Sequence, residues 1–263
     1  MIIDSHVHIY PDKIASKAAK SIENFYDIPV DNNGTVTRLI EANTEAGVNV
    51  SLIHSVATTS EQVESINNFI ISQVNEHKGN FVGFCTLHPD YANPGKEIDR
   101  ILAAGLKGIK LHSDFQKFNI DDERVFPIYE AAEGRLPILF HMGDKRYEYS
   151  KPRRLYNIIQ KFPKLQIIGA HFSGYSEWDD AAEILCGTGI WVDTSSSLEF
   201  ISPEKARHLI DVYGSDRVMF ASDYPMWSPA DELKKLARIP MTDDERERIL
   251  YKNAASLLGI ETH

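Results

Sequence analysis

Short apolar runs alternate with longer amphipathic ones from one end of this chain to the other. Eight runs rich in Ile, Val, Leu or Phe fall at residues 1–9, 49–56, 81–87, 108–112, 137–142, 166–172, 190–195 and 218–223, each closed by Gly, Pro, Ser or a charged cluster. Runs of this length and make-up, bounded by turn residues, predict β-strands. Between them apolar positions recur with a helical period. Val36, Leu39, Ile40 and Ala46 form one stripe, and Val63, Ile66, Phe69, Ile70 and Val74 form the next,. These predict helices over 35–46 and 60–77, with others over 94–104, 123–132, 153–161, 178–185, 203–213 and 229–237. Asn93-Pro94, Ser202-Pro203 and Ser228-Pro229 each place a capping residue before a proline suited to the first helical position,. Gly47, Gly105, Gly134, Gly189 and Gly214 close segments as helix C-termini do,.

Eight strand–helix units predict an α/β fold, a single (β/α)8 barrel spanning 1–263 as one domain,. An open doubly wound sheet is the alternative, but no Gly-x-Gly-x-x-Gly follows the first strand,. An extra C-terminal helix, about 243–258, has no strand after it and is expected to cover the outside or bottom of the barrel. The connection from Tyr10 to Gly34, helical over Lys13–Phe25, is a β1–α1 insertion. It reads either as a lid or as a peripheral packing helix.

Length agrees with the barrel: 263 residues, against ~250 for that fold,. No apolar stretch approaches the roughly 18 residues of a membrane span. The N-terminus runs straight into a strand without a basic region or cleavage site, so a cytoplasmic protein is expected. Cys85 and Cys186 sit in apolar surroundings outside any Cys-x-x-Cys, which predicts two buried free thiols,. A net charge of −10 disfavours nucleic acid and anionic membranes as partners,. The expected partner is a small-molecule substrate, with a homodimer as the default assembly.

The chemistry gathers at strand ends. In Asp4-Ser5-His6-Val7-His8 the two histidines are two apart, so one strand face presents both,. Other runs end at Lys110 and His112, at His141, at His171 and at Asp223. Of ten histidines, seven (His6, His8, His54, His88, His112, His141 and His171) lie in or just after predicted strands. In a barrel those ends form the functional face. Nitrogen and carboxylate donors from separate strands are what a catalytic metal needs. Each residue alone has a plainer reading: a histidine as a hydrogen-bonded core residue, Asp223 as a turn cap, Lys110 as an interior lysine paired with an acid such as Asp4.

As a set, these motifs resemble the amidohydrolase superfamily: His6 and His8 on the first strand, His141 on the fifth, His171 on the sixth, and Ser222-Asp223-Tyr224-Pro225 on the eighth. The Asp-Tyr-Pro context and Gly108-Ile109-Lys110-Leu111-His112 look most like its amidohydrolase-2 branch, which includes aminocarboxymuconate-semialdehyde decarboxylase. The resemblance implies one divalent metal, zinc first and manganese second, held by His6, His8, His141 and Asp223. A second metal, bridged by a carboxylated Lys110, is the less expected arrangement. Asp223 and His171 would be catalytic, Asp223 carrying a proton and His171 acting as acid/base or electrostatic stabiliser beside the ligands. Lys110, His112, His54 and Arg146 are the candidate substrate-binding residues.

Three activities follow from such a site. The leading expectation is a metal-dependent hydrolase acting on a small polar or anionic amide, ester or lactone through activated water. The alternative is a non-oxidative carboxy-lyase acting on a small unsaturated or aromatic acid. Few loop insertions are visible to wall an aromatic pocket, which tilts the balance towards hydrolysis. A TatD-like deoxyribonuclease comes third, because Lys110 stands where that type carries glutamate. A barrel that binds metal and ligand without catalysis is the non-enzymatic reading.

Overall fold

The computed structural model describes residues 1–30 and 32–262. Eight parallel strands lie side by side in the order of the chain. They are β1 (Ile3–His8), β2 (Val50–His54), β3 (Phe81–Thr86), β4 (Gly108–Leu111), β5 (Ile138–Phe140), β6 (Ile167–Gly169), β7 (Trp191–Asp193) and β8 (Val218–Met219). The ring closes between β8 and β1. Ser5 N donates to Phe220 O at 3.0 Å, His8 N to Tyr224 O at 2.7 Å and Asp223 N to His6 O at 3.0 Å. Asp4 ties the same seam with its side chain, accepting from Ser222 N at 2.9 Å and Ser222 Oγ at 2.5 Å. The expected (β/α)8 barrel is therefore the observed fold.

The helices are α1 (Asp12–Tyr26), α2 (Val36–Ala46), α3 (Val63–Glu76), α4 (Pro94–Ala103), α5 (Ser113–Gln116), α6 (Phe126–Ala132), α7 (Pro152–Lys161), α8 (Trp178–Leu185), α9 (Pro203–Tyr213), α10 (Pro229–Ala237), α11 (Asp243–Glu247) and α12 (Asn253–Leu258). Their apolar stripes and the outward faces of the strands form one continuous core, in which Val7, Ile53, Ile109, Ile138, Leu155 and Leu209 are fully buried or nearly so. A second cluster fills the lower barrel: Ile3, Leu52, Phe84, Leu139, Ile168 and Met219, sealed by Ala254, Ala255 and Leu258 of α12. The C-terminal segment thus covers the barrel bottom. No described helix is long and apolar enough to cross a membrane.

Two expectations need correction. The stretch 243–258 is not one helix: a π-turn, Arg248–Lys252, separates α11 from α12. The carbonyl of Ile249 accepts from Phe220 N at 2.8 Å, so the widened turn serves the end of β8,. The thiols are free, but only Cys85 is buried; Cys186 is exposed. It follows Leu185 at the C-cap of α8, where the chain turns outward. The insertion after β1 lies over the barrel mouth, with Ile22 and Tyr26 of α1 facing the cavity there. The loops after β5 and β6 touch backbone to backbone: a Cβ on Gly143 would sit 2.5 Å from the Cα of Gly174.

Candidate metal centre and active site

At the C-terminal face of the barrel a narrow cavity of about 20 Å³ is lined by His6, His8, Tyr26, His112, His141 and Asp223, with Ile22, Phe115, Pro225 and Met226 as its apolar lining. Both β1 histidines point into it, after a register shift between Asp4 and Val7 in the β1–β2 ladder. Their Nε2 atoms are 3.3 Å apart. Asp223 Oδ1 lies 3.3 Å from His6 Nε2 and 3.5 Å from His8 Nε2. Asp223 reaches that position through a left-handed backbone, φ 63°.

Hydrogen-bond partners fix the nitrogens. His6 Nδ1 faces Asp193 Oδ2 at 2.9 Å, so the ring proton sits on Nδ1 and the Nε2 lone pair faces the cavity,. That lone pair confronts the Asp223 oxygen and His8 Nε2. Such an arrangement needs positive charge. Lys110 supplies some, its Nζ 3.0 Å from His6 Nε2. Burial lowers this lysine to about 8. Burial, and then the Lys110 charge, lowers His6 to about 4, so its imidazole is neutral at physiological pH. Burial likewise depresses His8, His112 and His141. Burial opposes charge on Asp223, yet the facing rings of His6, His8 and His171 hold it well below the usual carboxylate range. Neutral imidazole lone pairs and one ionised carboxylate, converging in a buried space, fit a divalent cation.

His141 and His171 form the other half. His171 Nε2 and His141 Nδ1 are 2.9 Å apart. His171 Nδ1 faces the carbonyl of Ser195 at 2.9 Å, which places the proton on Nδ1 and leaves Nε2 towards the site. Three successive residues, His171, Phe172 and Ser173, have φ of 61°, 49° and 57°. Each such conformation costs on the order of 1–3 kcal/mol, and such costs collect at functional sites. His141 stacks on His112 with ring centroids 3.8 Å apart and planes 6° from parallel. Its Nε2 faces Asp114 Oδ2 at 3.4 Å and the Tyr26 hydroxyl at 3.4 Å.

The structure therefore brings His6, His8, His141, His171, Asp223 and His112 to one cavity or its margin. The other candidates do not line the cavity, although His54 brings a ring nitrogen within 4.8 Å of those of His6 and His8. Lys110 is fully buried beneath the cluster and pairs with His6, not with Asp4. His54 is fully buried, its ring 4.3 Å from that of His8, and neither ring nitrogen has a hydrogen-bond partner. Arg146 is engaged: Asp144 holds its guanidinium at 2.6–3.2 Å, and its Nη1 donates to Phe25 O at 2.7 Å. It fastens the end of α1, while its side chain stays partly exposed.

Sequence reasoning passed over Asp193, Asp114 and Tyr26. Asp193 closes the seventh apolar run as Asp223 closes the eighth, so the same strand-end signal marks both. Asp114 lies in the one-turn helix α5, raised by burial to about 7 and accepting from Ser150 Oγ at 2.7 Å. Tyr26 reaches the site only because α1 folds back over the mouth.

A model of the amidohydrolase-2 family, described as Amidohydrolase, matches residues 3–260, and the chain belongs to that family. The 2-amino-3-carboxymuconate-6-semialdehyde decarboxylase of Dictyostelium discoideum is 24% identical over 242 residues, covering 74% of this chain and 66% of that protein. The chain thus spans slightly less than two thirds of that relative's length. A 5-carboxyvanillate decarboxylase from Sphingomonas paucimobilis superposes with a TM-score of 0.78 at 18% identity, covering 99% of both chains. A dihydroxybenzoic acid decarboxylase from Polaromonas sp. JS666, solved with manganese and 2-nitroresorcinol, gives 0.74 at 15% identity, covering 100% of this chain and 98% of the other. At these identities the structural likeness is one of fold.

Proposed function

We propose that this chain is a metal-dependent, non-oxidative decarboxylase of a small unsaturated or aromatic acid. The cavity carries the reading. His6, His8, His141 and Asp223 bring donor atoms to its lining, and Ile22, Tyr26, Phe115 and Met226 bring apolar, partly aromatic surface. A planar acid has a polar edge and apolar faces that match such a lining,. Two of these residues, Ile22 and Tyr26, come from α1, so an apolar wall exists without long loops, which weakens the reason for preferring hydrolysis. The decarboxylase identity of the Dictyostelium relative supports the same choice.

When bound, a divalent cation, zinc or manganese, would supply Lewis-acid pull on the substrate's carboxylate and a neighbouring oxygen. Lys110 brings a further positive charge against His6, which favours one ion over two. His112 accepts from Phe115 N at Nδ1, so its Nε2 carries a proton towards Tyr26 and the cavity, a donor for an anionic substrate. His171 is anchored through Nδ1, and its Nε2, 2.9 Å from His141 Nδ1, is the nitrogen that would take and release a proton. The bond to the carboxyl carbon breaks, carbon dioxide leaves, and the electron pair stays on the substrate carbon. That carbon takes a proton from His171 Nε2, which solvent replaces. Tyr26 and the α1 roof keep bulk water from the reacting carbon.

Hydrolysis of a small amide, ester or lactone is the second reading, favoured by the ionised Asp223, a base that water attack would use. Lys110 on strand four, where a TatD-like deoxyribonuclease carries glutamate, weighs against that reading. The test loads the protein with manganese or zinc and offers 5-carboxyvanillate, 2,6-dihydroxybenzoate and 2-amino-3-carboxymuconate-6-semialdehyde, beside a panel of small amides, esters and lactones, in D2O and in H2 18O. Carbon dioxide release with one solvent deuterium in the product is expected. Heavy oxygen entering a cleaved amide, ester or lactone substrate, with no carbon dioxide from any acid, would replace this reading with hydrolysis.

A further inference from the structure

Asp223 shows its two oxygens to different surroundings. Oδ1 faces His6 and His8. Oδ2 accepts from Ser196 Oγ at 2.5 Å, and that hydroxyl in turn accepts from Trp227 Nε1 at 2.9 Å. Donors and acceptors match along the whole chain: indole N–H to hydroxyl oxygen, hydroxyl hydrogen to carboxylate. A hydroxyl already receiving a hydrogen bond donates a stronger one. Ser196 is buried and adopts φ 45°, a conformation rare outside glycine,. Asp223 is also left-handed, so two unfavourable backbones meet at one hydrogen bond.

The indole is held from outside. The Lys235 ammonium lies 5.0 Å over its ring, and Lys235 is itself fixed by Glu199 at 2.6 Å and Glu232 at 2.8 Å. Trp227 thus has little freedom, and neither has the hydroxyl that it serves. With Oδ2 committed, Asp223 can offer only Oδ1 to the histidine pair.

We propose that Trp227 and Ser196 are positioning residues: through one hydrogen-bonded line they orient the Asp223 carboxylate so that a single oxygen is presented to the metal. The inference rests on Asp223 being a metal ligand, as in the function proposed above. Residues that hold ligands in this way typically account for about 10–100-fold in metal affinity.

The experiment titrates metal-free wild type, Ser196→Ala, Trp227→Phe and the double variant with manganese(II), reading the free ion by electron paramagnetic resonance. Melting of each metal-free protein is followed alongside. Trp227→Phe keeps a ring for Lys235 and Phe200 and removes only the N–H. Wild type is expected to bind manganese, Ser196→Ala to bind it about 10–100-fold more weakly, and Trp227→Phe several-fold more weakly at unchanged metal-free melting. The double variant should bind no more weakly than Ser196→Ala, because the indole acts only through the hydroxyl. Equal manganese affinity in wild type and both single variants overturns the proposal while leaving the metal site standing. Additive losses in the double variant overturn the part given to Trp227, and this comparison decides even if the indole change lowers melting. Wild type that binds no manganese removes the metal-site reading and this inference with it.

Discussion

A glutamate can sit beside a lysine and still hold its proton. Glu232 is fully buried on α10, with Oε1 2.8 Å from Lys235 and Oε2 unpartnered. Burial outweighs the lysine and raises the carboxyl from its ordinary 4.5 to about 7. Between those values the folded protein holds a proton that the unfolded chain has released, so Glu232 lowers stability as pH rises through that window. The ceiling is on the order of 3–4 kcal/mol. Glu232→Gln should therefore gain in melting temperature relative to wild type by several degrees between pH 5 and 8. A gap that stays constant across that range would show Glu232 to be ionised throughout. Single residues also mark the limit of what the sequence discloses. His6, His8, His141, His171 and Asp223 announce themselves because polar donors at the ends of apolar runs have no packing reason to be there. Asp193 gives the same signal. Ser196 and Trp227 give none, since their role depends on where β7 and β8 bring them in space. Arg146 reads as an anion binder by charge, and only the fold shows that Asp144 and a backbone carbonyl already hold it.

Among elements, α1 has most to do with access. Its last turn is fastened by Arg146, whose guanidinium also lies 4.9 Å from the Phe25 ring and 5.4 Å from that of Tyr26. Arg146→Met keeps the stem and removes the fork. Asp144 is buried, so losing its bidentate partner should cost on the order of 1–3 kcal/mol,. The expected change is faster amide exchange in the final turn of α1 and a raised KM, with a fall in melting of a few degrees. Unaltered exchange there would mean that aromatic packing alone holds the helix. Strands and helices were largely legible because each carries its own period and caps. The strands proved shorter than their apolar runs, β5 and β6 three residues and β8 two, because the chain leaves the ladder where site residues begin. The short α5 and the π-turn carry no periodic signal and arise from tertiary hydrogen bonds.

For the molecule as a whole, the metal site and the fold should be linked thermodynamically. The donors converge only in the closed barrel, so a cation binds the folded chain in preference to the unfolded one. At a free concentration 100 times the dissociation constant that adds about 2.7 kcal/mol, or roughly 5–10 °C in melting. Chelator-treated protein should melt lower by that margin and recover with one equivalent of manganese or zinc. Recovery that needs two equivalents would favour a binuclear centre with Lys110 between the ions. The barrel itself was readable from eight repeats of one pattern. The roof was half readable: the insertion directly after β1 read as a lid or a packing helix, and only the fold shows Ile22 and Tyr26 facing the cavity.

Gly143 and Gly174 add a final consequence. The stretches bearing His141 and His171 are kept in register by two missing methyl groups: Gly174 nestles under Gly143 and in turn against Ala181, whose Cβ would lie 2.6 Å from an added carbon. Chemistry between those imidazoles thus leans on positions that have no chemistry of their own. An alanine at either place would act as a wedge, prising the proton donor away from its neighbour while leaving every reactive group intact.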